Sequence, residues 1–411
     1  MTTDTRELAA SFDLERLTPE FYANPYPTYR ALRENEPVKR LRNGSYFLTR
    51  YDDLVTAYKN TRAFSSDKKR EFSPKYGDSQ LYEHHTTSLV FNDPPAHTRV
   101  RRLIMGALSP RAIAEMEPYL IALVDRLLDK IAVKGHEAKG QFELIGDFAA
   151  AIPVEVIGNL LDVPHDAREP LRDWSLAILG ALEPVISAEA FARGNTAVKD
   201  FLAYLKTLVE GRRAKPGNPE RDVLTRLIQG EANGERLTEM ELLHNCIFLL
   251  NAGHETTTNL IGNGLVALSE HPTEKQRLIQ NPDLIKTAVE EILRYESSNQ
   301  LGNRMTTERV ELGGVVLEPA TPVTLGIGAA NRDPAQFTNP ERFDIGRTPN
   351  RHLAFATGAH QCAGMALARL EGAIAISRFL KRFPKYALNG EPVRGGRVRF
   401  RGFLSVPCVV G

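Results

Sequence analysis

Phe355-Ala-Thr-Gly-Ala-His-Gln-Cys-Ala-Gly364 places one cysteine, Cys362, in a glycine-bearing loop that runs straight into a long apolar stretch. Leu367, Leu370, Ile374 and Leu380 recur near helical spacing, which predicts a helix over residues 365–379. Cys362 then lies at or just before a helix N-terminus, where backbone N–H groups and the positive end of the dipole favour thiolate over thiol. A thiolate in an inflexible loop suits an axial metal ligand, and Gly358 and Gly364 would let the backbone approach a flat cofactor closely. The other reading is a buried, inert cysteine in a turn. The loop alone does not separate the two.

The chain around it has 411 residues, 42% hydrophobic and 25% charged, enough for a large core that encloses a cofactor. Lys+Arg 52 against Asp+Glu 51 leaves a net charge of +1, so nothing global points to nucleic acid or an anionic membrane. Cys246, Cys362 and Cys408 are odd in number and far apart, with no C-x-x-C pair. That argues against a disulfide scaffold or a Cys-rich zinc site and fits a reducing cytoplasm. Residues 1–20 form a polar leader without an apolar h-region, and no run approaches the ~20 apolar residues that span a bilayer. We expect a cytoplasmic protein that does not enter membranes.

Outward from the loop, residues 25–34 and 52–59 read as short helices, with a hairpin over 38–41 and 45–49 around Asn43-Gly44. Residues 65–92 are polar and irregular, too long for a connector and of the length of a lid or binding loop. From residue 94 to about 284 nearly everything reads as helix with Pro/Gly punctuation, and another helix follows over 283–295. Two strands flank Gly313-Gly314 within 310–317, another covers 323–326, a loop occupies 332–350, and a strand pair lies about 397–410. Strands near residues 45 and 315 need each other, so we expect one mainly α domain over 1–411 with a small β region.

The helix over 238–269 opens with a capping box, Thr238-Glu-Met-Glu241. At about 30 residues it is about 45 Å long, and it is apolar all round near 247–250, so it is central and buried. In its middle sits Ala252-Gly-His-Glu-Thr-Thr257. Thr256 can bond back to the Ala252 carbonyl and open the helix locally, while Gly253 leaves room for a ligand; the competing reading is a solvated turn. Glu291 and Arg294 share a helix face, and Arg342 in Pro340-Glu-Arg-Phe343 can join them as a triad. His97 and Arg101, four apart, can reach one anionic group, and Arg304 and His352 are further candidates for anion contact, although each alone is more often a surface residue.

In order and spacing, the cysteine loop, the Ala252–Thr257 segment, Glu291-x-x-Arg294 and Pro340-Glu-Arg-Phe343 together resemble the cytochrome P450 family, from about Asn24 to the C-terminus. The resemblance implies the mainly α, roughly triangular fold of that family, binding haem b between the central helix and the cysteine-loop helix. It implies Cys362 as proximal thiolate within the Phe355, Gly358 and Gly364 loop, and Thr256 with Glu255 as the alcohol–acid pair that delivers protons to dioxygen. It also implies a Glu291–Arg294–Arg342 triad, and His97, Arg101, Arg304 and His352 as partners of the haem propionates. The substrate pocket would take His85 and the rest of 65–92, residues 174–182, Phe248, Asn251, Ala252, Gln300, Leu301 and Phe403, for a small lipophilic molecule with one hydrogen-bonding group. Ala356 and Ser298 depart from the family, which often has glycine and proline there. The reaction implied is hydroxylation or O-dealkylation by a monomeric haem-thiolate monooxygenase, with electrons from NAD(P)H through a separate ferredoxin and reductase docking near Arg99, Arg102 and Arg111. A peroxide-driven haem-thiolate enzyme and a non-catalytic haem or small-molecule binding protein are the alternatives.

Overall fold

The computed structural model describes residues 4–137, 140–219, 223–230 and 236–410. Its axis is the helix Glu239–Glu270, one residue later at each end than the sequence predicts. The capping box forms: Thr238 Oγ1 accepts the Glu241 N–H (3.2 Å) and Glu241 Oε2 accepts the Thr238 N–H (2.9 Å). This central helix ties two apolar cores together. Its first half, Leu242 to Leu250, packs with Phe201, Leu205 and Leu224 from the helices Ala188–Ala214 and Val223–Gln229. Its second half, Leu260 to Leu268, packs with Leu120 and Val124 of Pro110–Glu137 and with Ile374 and Phe379 of Met365–Arg382. At ~1.5–3 kcal/mol per fully buried aliphatic side chain, two such cores hold one long helix rigidly in place.

The β region is assembled from both ends of the chain, though not in the pairing expected. One sheet runs in the order Val38–Arg40, Tyr46–Leu48, Pro322–Gly326, Leu301–Thr306, Phe64–Ser65. The hairpin turns at Gly44, φ +84°, and Tyr46–Leu48 pairs in parallel with Val323 to Leu325. The partner of the strand near residue 45 is therefore the one at 323–325. The strands at Val310–Leu312 and Val315–Leu317 pair only with each other, and pack Leu312 and Leu317 on Val38 and Leu48. Leu301–Thr306 carries Gly302, Asn303 and Arg304, poor strand formers that its two neighbours hold extended, so its sequence gives no strand signal. Near the C-terminus the expected strand pair does not form internally. Phe403–Ser405 pairs with Val393–Arg394, while Pro407–Val409 lies between Gln141–Glu143 and Ala387–Leu388.

The expected irregular segment, 65–92, contains two helices, Lys69–Tyr76 and Gln80–Thr87, and a single turn at Leu89–Phe91. Their buried stripe is Phe72, Tyr76, Leu81, His84 and His85, too aromatic and polar to register as helical periodicity. They are fastened to residues 181–195. The Tyr76 hydroxyl donates to the Ala181 carbonyl (2.6 Å), Lys75 Nζ to the Glu183 carbonyl (2.6 Å), and the Leu81 N–H to Asn195 Oδ1 (3.0 Å). Cys246 and Cys408 are buried thiols, and no described helix is long and apolar enough to cross a membrane.

Candidate functional site

Phe248, Leu249, Ala252, Gly253 and Thr256 are only half-buried, while most residues around them on the central helix are buried. Their spacing, 0, 1, 4, 5 and 8, makes one face of one helix. Thr256 Oγ1 donates to the Ala252 carbonyl at 2.6 Å, the back-bond expected from sequence. Gly253 has a different reason from the one expected: a Cβ there would come 2.1 Å from the Ile157 δ-methyl, so the glycine admits the helix Ala151–Leu160. Ala363, next to the cysteine, packs against the same large apolar cluster as Phe248 and Leu249.

The loop is closed by the Cys362 N–H donating to the Phe355 carbonyl (2.9 Å). Ala356 and Gly358 both have left-handed backbones, φ +54° and +75°. A Cβ on Gly358 would stand 2.7 Å from the Tyr58 carbonyl oxygen, so this glycine serves the contact with Tyr51–Lys59, whereas a Cβ on Gly364 meets nothing within 4 Å. Gly364 is the glycine that keeps space open. Cys362 is accessible, yet protein surrounds it on nearly every side, the condition of a residue lining an internal cleft. Burial pushes its thiol up, against the Gly364 N–H, Arg101 and Arg369. The helix end therefore does not by itself secure a thiolate, because Gly364 holds the N-cap position and desolvation outweighs one N–H. Coordination to a metal deprotonates such a thiol outright.

A fully buried ion pair anchors the segment that leads into the loop. Glu291 takes Arg294 Nε and Nη2 as a two-pronged fork (2.8 Å each). The third member is Arg347, whose Nε reaches Glu291 Oε2 at 3.0 Å, with Asn350 Nδ2 adding a bond at 3.1 Å. Arg342, expected there, has an exposed side chain and contributes only its carbonyl, to Arg294 and Arg347.

A second cluster has unspent donors. The rings of His97 and His360 lie 3.9 Å apart, and Arg304 sits over the Tyr58 ring with Nη1 on the Asn303 carbonyl. Both nitrogens of His97, Nε and Nη2 of Arg304 and Nε2 of His360 are buried without a protein partner. Burial, then Arg304, His97 and Arg101, pushes His360 down to about 2, and burial with Arg101 lowers His97. Neutral imidazoles with free N–H groups beside two guanidiniums make a seat for carboxylates, and left unpaired such donors cost ~1–3 kcal/mol each. His360 was not among the expected anion partners; its place two residues before Cys362 was the only signal. His352 was among them and is committed elsewhere. Its Nδ1 accepts the Ala354 N–H (3.2 Å) and its Nε2 donates to Glu290 (3.1 Å), which Arg369 also grips at 2.6 and 2.8 Å. Although burial raises Glu290, His352 and Arg369 hold it down at about 2. An accessible cysteine, a mostly apolar stripe carrying one hydroxyl, and a cationic seat with spare donors fit an iron porphyrin with two propionates.

Glu255 lies about 100° round the central helix from Thr256, at the edge of the stripe. Arg397 Nη1 bonds its Oε1 at 2.6 Å and Nη2 bonds the Leu176 carbonyl at 3.0 Å. Burial pushes the Glu255 carboxyl up to about 7 against that cation. Of the expected pocket residues, Phe248 and Ala252 are on the accessible stripe. Asn251 is buried with its amide unpartnered, and His85 is enclosed by Phe72, Tyr76 and Phe91. The structure does not bring Gln300, Leu301 or Phe403 to that stripe. Gln300 turns to the Ser297 carbonyl (2.8 Å), Leu301 packs with Tyr29 and Phe47, and Phe403 lies under Arg394. Among the arginines expected to dock a partner, Arg102 is exposed, Arg111 pairs with Glu115 at 3.1 Å, and Arg99 is engaged by Glu241.

Residues 174–391 match the family model described as Cytochrome P450. The biotin biosynthesis cytochrome P450 of Bacillus subtilis (strain 168) is 39% identical over 372 residues, 90% of this chain and 91% of that protein. The vitamin D(3) 25-hydroxylase of Pseudonocardia autotrophica is 35% identical over 398 residues, 95% of each. The crystal structure of P450BioI in complex with a hexadec-9Z-enoic acid ligated acyl carrier protein superposes with a TM-score of 0.89 at 37% identity, covering 95% of this chain and 100% of that one.

Proposed function

The chain belongs to the cytochrome P450 family of monooxygenases, and on that premise we propose that it hydroxylates or O-dealkylates a small lipophilic substrate with electrons passed from NAD(P)H by a separate ferredoxin and reductase. The observation that carries this reading is the accessible stripe of the central helix, apolar except for Thr256, which shares an apolar cluster with Ala363 beside the accessible Cys362. Haem bound through the Cys362 thiolate supplies the redox chemistry of oxygen activation. His97, Arg101, Arg304 and His360 hold its propionates, and the free donors of His97, Arg304 and His360 support that assignment. Phe248, Leu249 and Ala252 exclude water and press the apolar part of the substrate against the reacting centre. Thr256 supplies the one hydroxyl of the stripe and would donate to dioxygen there, and its bond to the Ala252 carbonyl fixes the rotamer. Glu255, titrating near neutrality, supplies the protons that oxygen reduction consumes. Residues 1–411 act as one domain, as a cytoplasmic monomer, and the exposed Arg102 is the surface cation that favours an acidic electron donor.

The test begins with the reduced, CO-bound spectrum: thiolate ligation moves the Soret band to the red, and Cys362→Ala abolishes it. A ligand screen by ferric spin-state shift then defines the substrate class, starting with long-chain fatty acids, free and ligated to acyl carrier protein, and with secosteroids, after the relatives' names. Thr256→Ala retains haem and ligand binding and diverts electrons to hydrogen peroxide. Full coupling in Thr256→Ala would refute the acid–alcohol assignment, and product formation from hydrogen peroxide alone at the NAD(P)H-driven rate would favour the peroxide-driven enzyme.

A further inference from the structure

Asn251 is 2% exposed on the central helix, and neither its Nδ2 nor its Oδ1 has a protein partner. Among the described residues no other buried amide side chain is left with both polar atoms spare. Ile247 and Phe248, one turn back along the helix, offer it no hydrogen bond. A side-chain amide carries donors and acceptors at once, and burying it unpaired opposes folding unless another molecule supplies the bonds. At about 100° per residue, Asn251 lies about 60° round the helix from Phe248, on the side of Glu255 rather than that of Leu249. It therefore borders the accessible stripe. His244, seven residues earlier, falls on the same border, and the centre of its ring is 5.5 Å from that of His84 on the helix Gln80–Thr87.

We propose that Asn251 fixes the substrate by an uncharged group that both donates and accepts hydrogen bonds, a hydroxyl or a carboxamide, lying several bonds from the carbon that is oxidised. The proposal rests on the monooxygenase reading above and adds the polar group of the substrate and the position of attack. The absence of charge follows from the surroundings. Among the described residues no cation bonds to Asn251, and Glu255 stands one turn away on the same border. A substrate carboxylate there would be buried beside an acid with no counter-ion of its own. An ester or a ketone would satisfy Nδ2 and leave Oδ1 unpaired, whereas a hydroxyl or a carboxamide serves both. The distance follows from the helix: the rise from Asn251 to Thr256 is about 7.5 Å, and an extended chain advances ~3.6 Å per three bonds, so the group sits roughly six bonds from a carbon held beside Thr256.

The test uses the haem-loaded protein with decan-1-ol, dodecan-1-ol and tetradecan-1-ol, each set beside the carboxylate and the 1-chloroalkane of the same chain length. Titrated by the ferric spin-state shift, each alcohol should bind at least about tenfold tighter than its carboxylate, the ratio one good hydrogen bond supplies. With reduced ferredoxin, hydroxylation should fall at the same carbon counted from the hydroxyl in all three alcohols, near the sixth. Asn251→Leu keeps the size and removes the amide. It should raise the melting temperature of the apoprotein, move the ratio of alcohol to chloroalkane affinity at least about tenfold toward the chloroalkane, and let the site of attack drift as the chain lengthens. Asn251→Val serves the same purpose if Asn251→Leu does not fold. Tighter binding of the carboxylates, attack that keeps its distance from the methyl end instead, or an unchanged ligand preference in the variant overturns the proposal. None of these touches the monooxygenase reading, which stands on the reduced CO spectrum and on coupling in Thr256→Ala.

Discussion

Glu291 and Arg294 behind the cysteine loop, and Arg304 with His97 and His360 beside it, are two buried polar clusters of similar composition that are finished in opposite ways. In the first, every prong is used within the protein: Glu291 receives Arg294, Arg347, Asn350 and the Asp344 N–H, and Arg294 spends its remaining donors on the carbonyls of Asn331, Pro340 and Arg342. In the second, donors remain over. A saturated buried network belongs to the scaffold, whereas a buried cluster with spare donors is prepared for a ligand it does not yet contact.

The largest effect should come from breaking the saturated cluster. Glu291→Ala strands two arginine side chains, one of them fully buried, and should cost about 5 kcal/mol, the upper end for a broken buried pair. Urea unfolding would show it as a lowered midpoint, and the loop should no longer retain haem. A mild loss would mean that solvent reaches the pair.

Glu371 sharpens the comparison from the acid side. It is buried on the cysteine-loop helix, its Oε2 has no protein partner, and burial pushes its carboxyl up to about 8 from 4.5. Between those values the folded protein keeps a proton that the unfolded chain has released, so stability falls as pH rises from about 4.5 to 8 and stays low above. Glu371→Gln removes this slope. Relative to wild type, its stability advantage should grow from pH 5 to pH 9 by up to roughly 4 kcal/mol in urea titrations at each pH. A flat difference would show that Glu371 ionises freely.

Arg304→Leu tests the cluster with spare donors. The apoprotein should change by no more than ~1 kcal/mol, because the contacts abandoned are the Asn303 carbonyl and the Tyr58 ring, and two unpaired buried donors are removed with them. The holoprotein should lose its haem to an apoglobin acceptor about 10- to 100-fold faster, as charge-assisted bonds worth ~1.5–3 kcal/mol disappear. Equal losses in both forms would make Arg304 part of the scaffold.

What was legible in the sequence was local. The capping box at Thr238, the Thr256 back-bond and the Glu291–Arg294 fork each depend on residues three or four apart, and each forms as read. What was not legible required a choice between neighbours made in three dimensions. Arg347 rather than Arg342 reaches Glu291 and His360 rather than His352 has a free nitrogen, although each pair lies within eight residues of a single loop. Gly253 and Gly358 gave the right residue for the wrong neighbour, since the Ile157 side chain and the Tyr58 carbonyl are distant in sequence. The helices of 65–92 were hidden because their buried face is built from histidine and aromatic rings.

Ala356 is the smallest test and concerns the loop between the two clusters. With φ at +54° it occupies a conformation that costs an L-residue ~1–2 kcal/mol and glycine almost nothing. Two terms oppose the gain from Ala356→Gly. Glycine adds conformational entropy to the unfolded chain, ~0.4–1 kcal/mol, and the lost methyl, half-buried against the core of Leu48 and Leu325, is worth up to ~0.8 kcal/mol. The terms nearly cancel, so stability should move by less than ~0.5 kcal/mol, read by thermal unfolding of the apoprotein. Haem retention should be unchanged, because the Cys362 N–H bond to the Phe355 carbonyl, which sets the position of the sulfur, involves no atom of the Ala356 side chain. Faster haem loss in Ala356→Gly would show that the methyl, and not the turn, holds the cysteine loop in place.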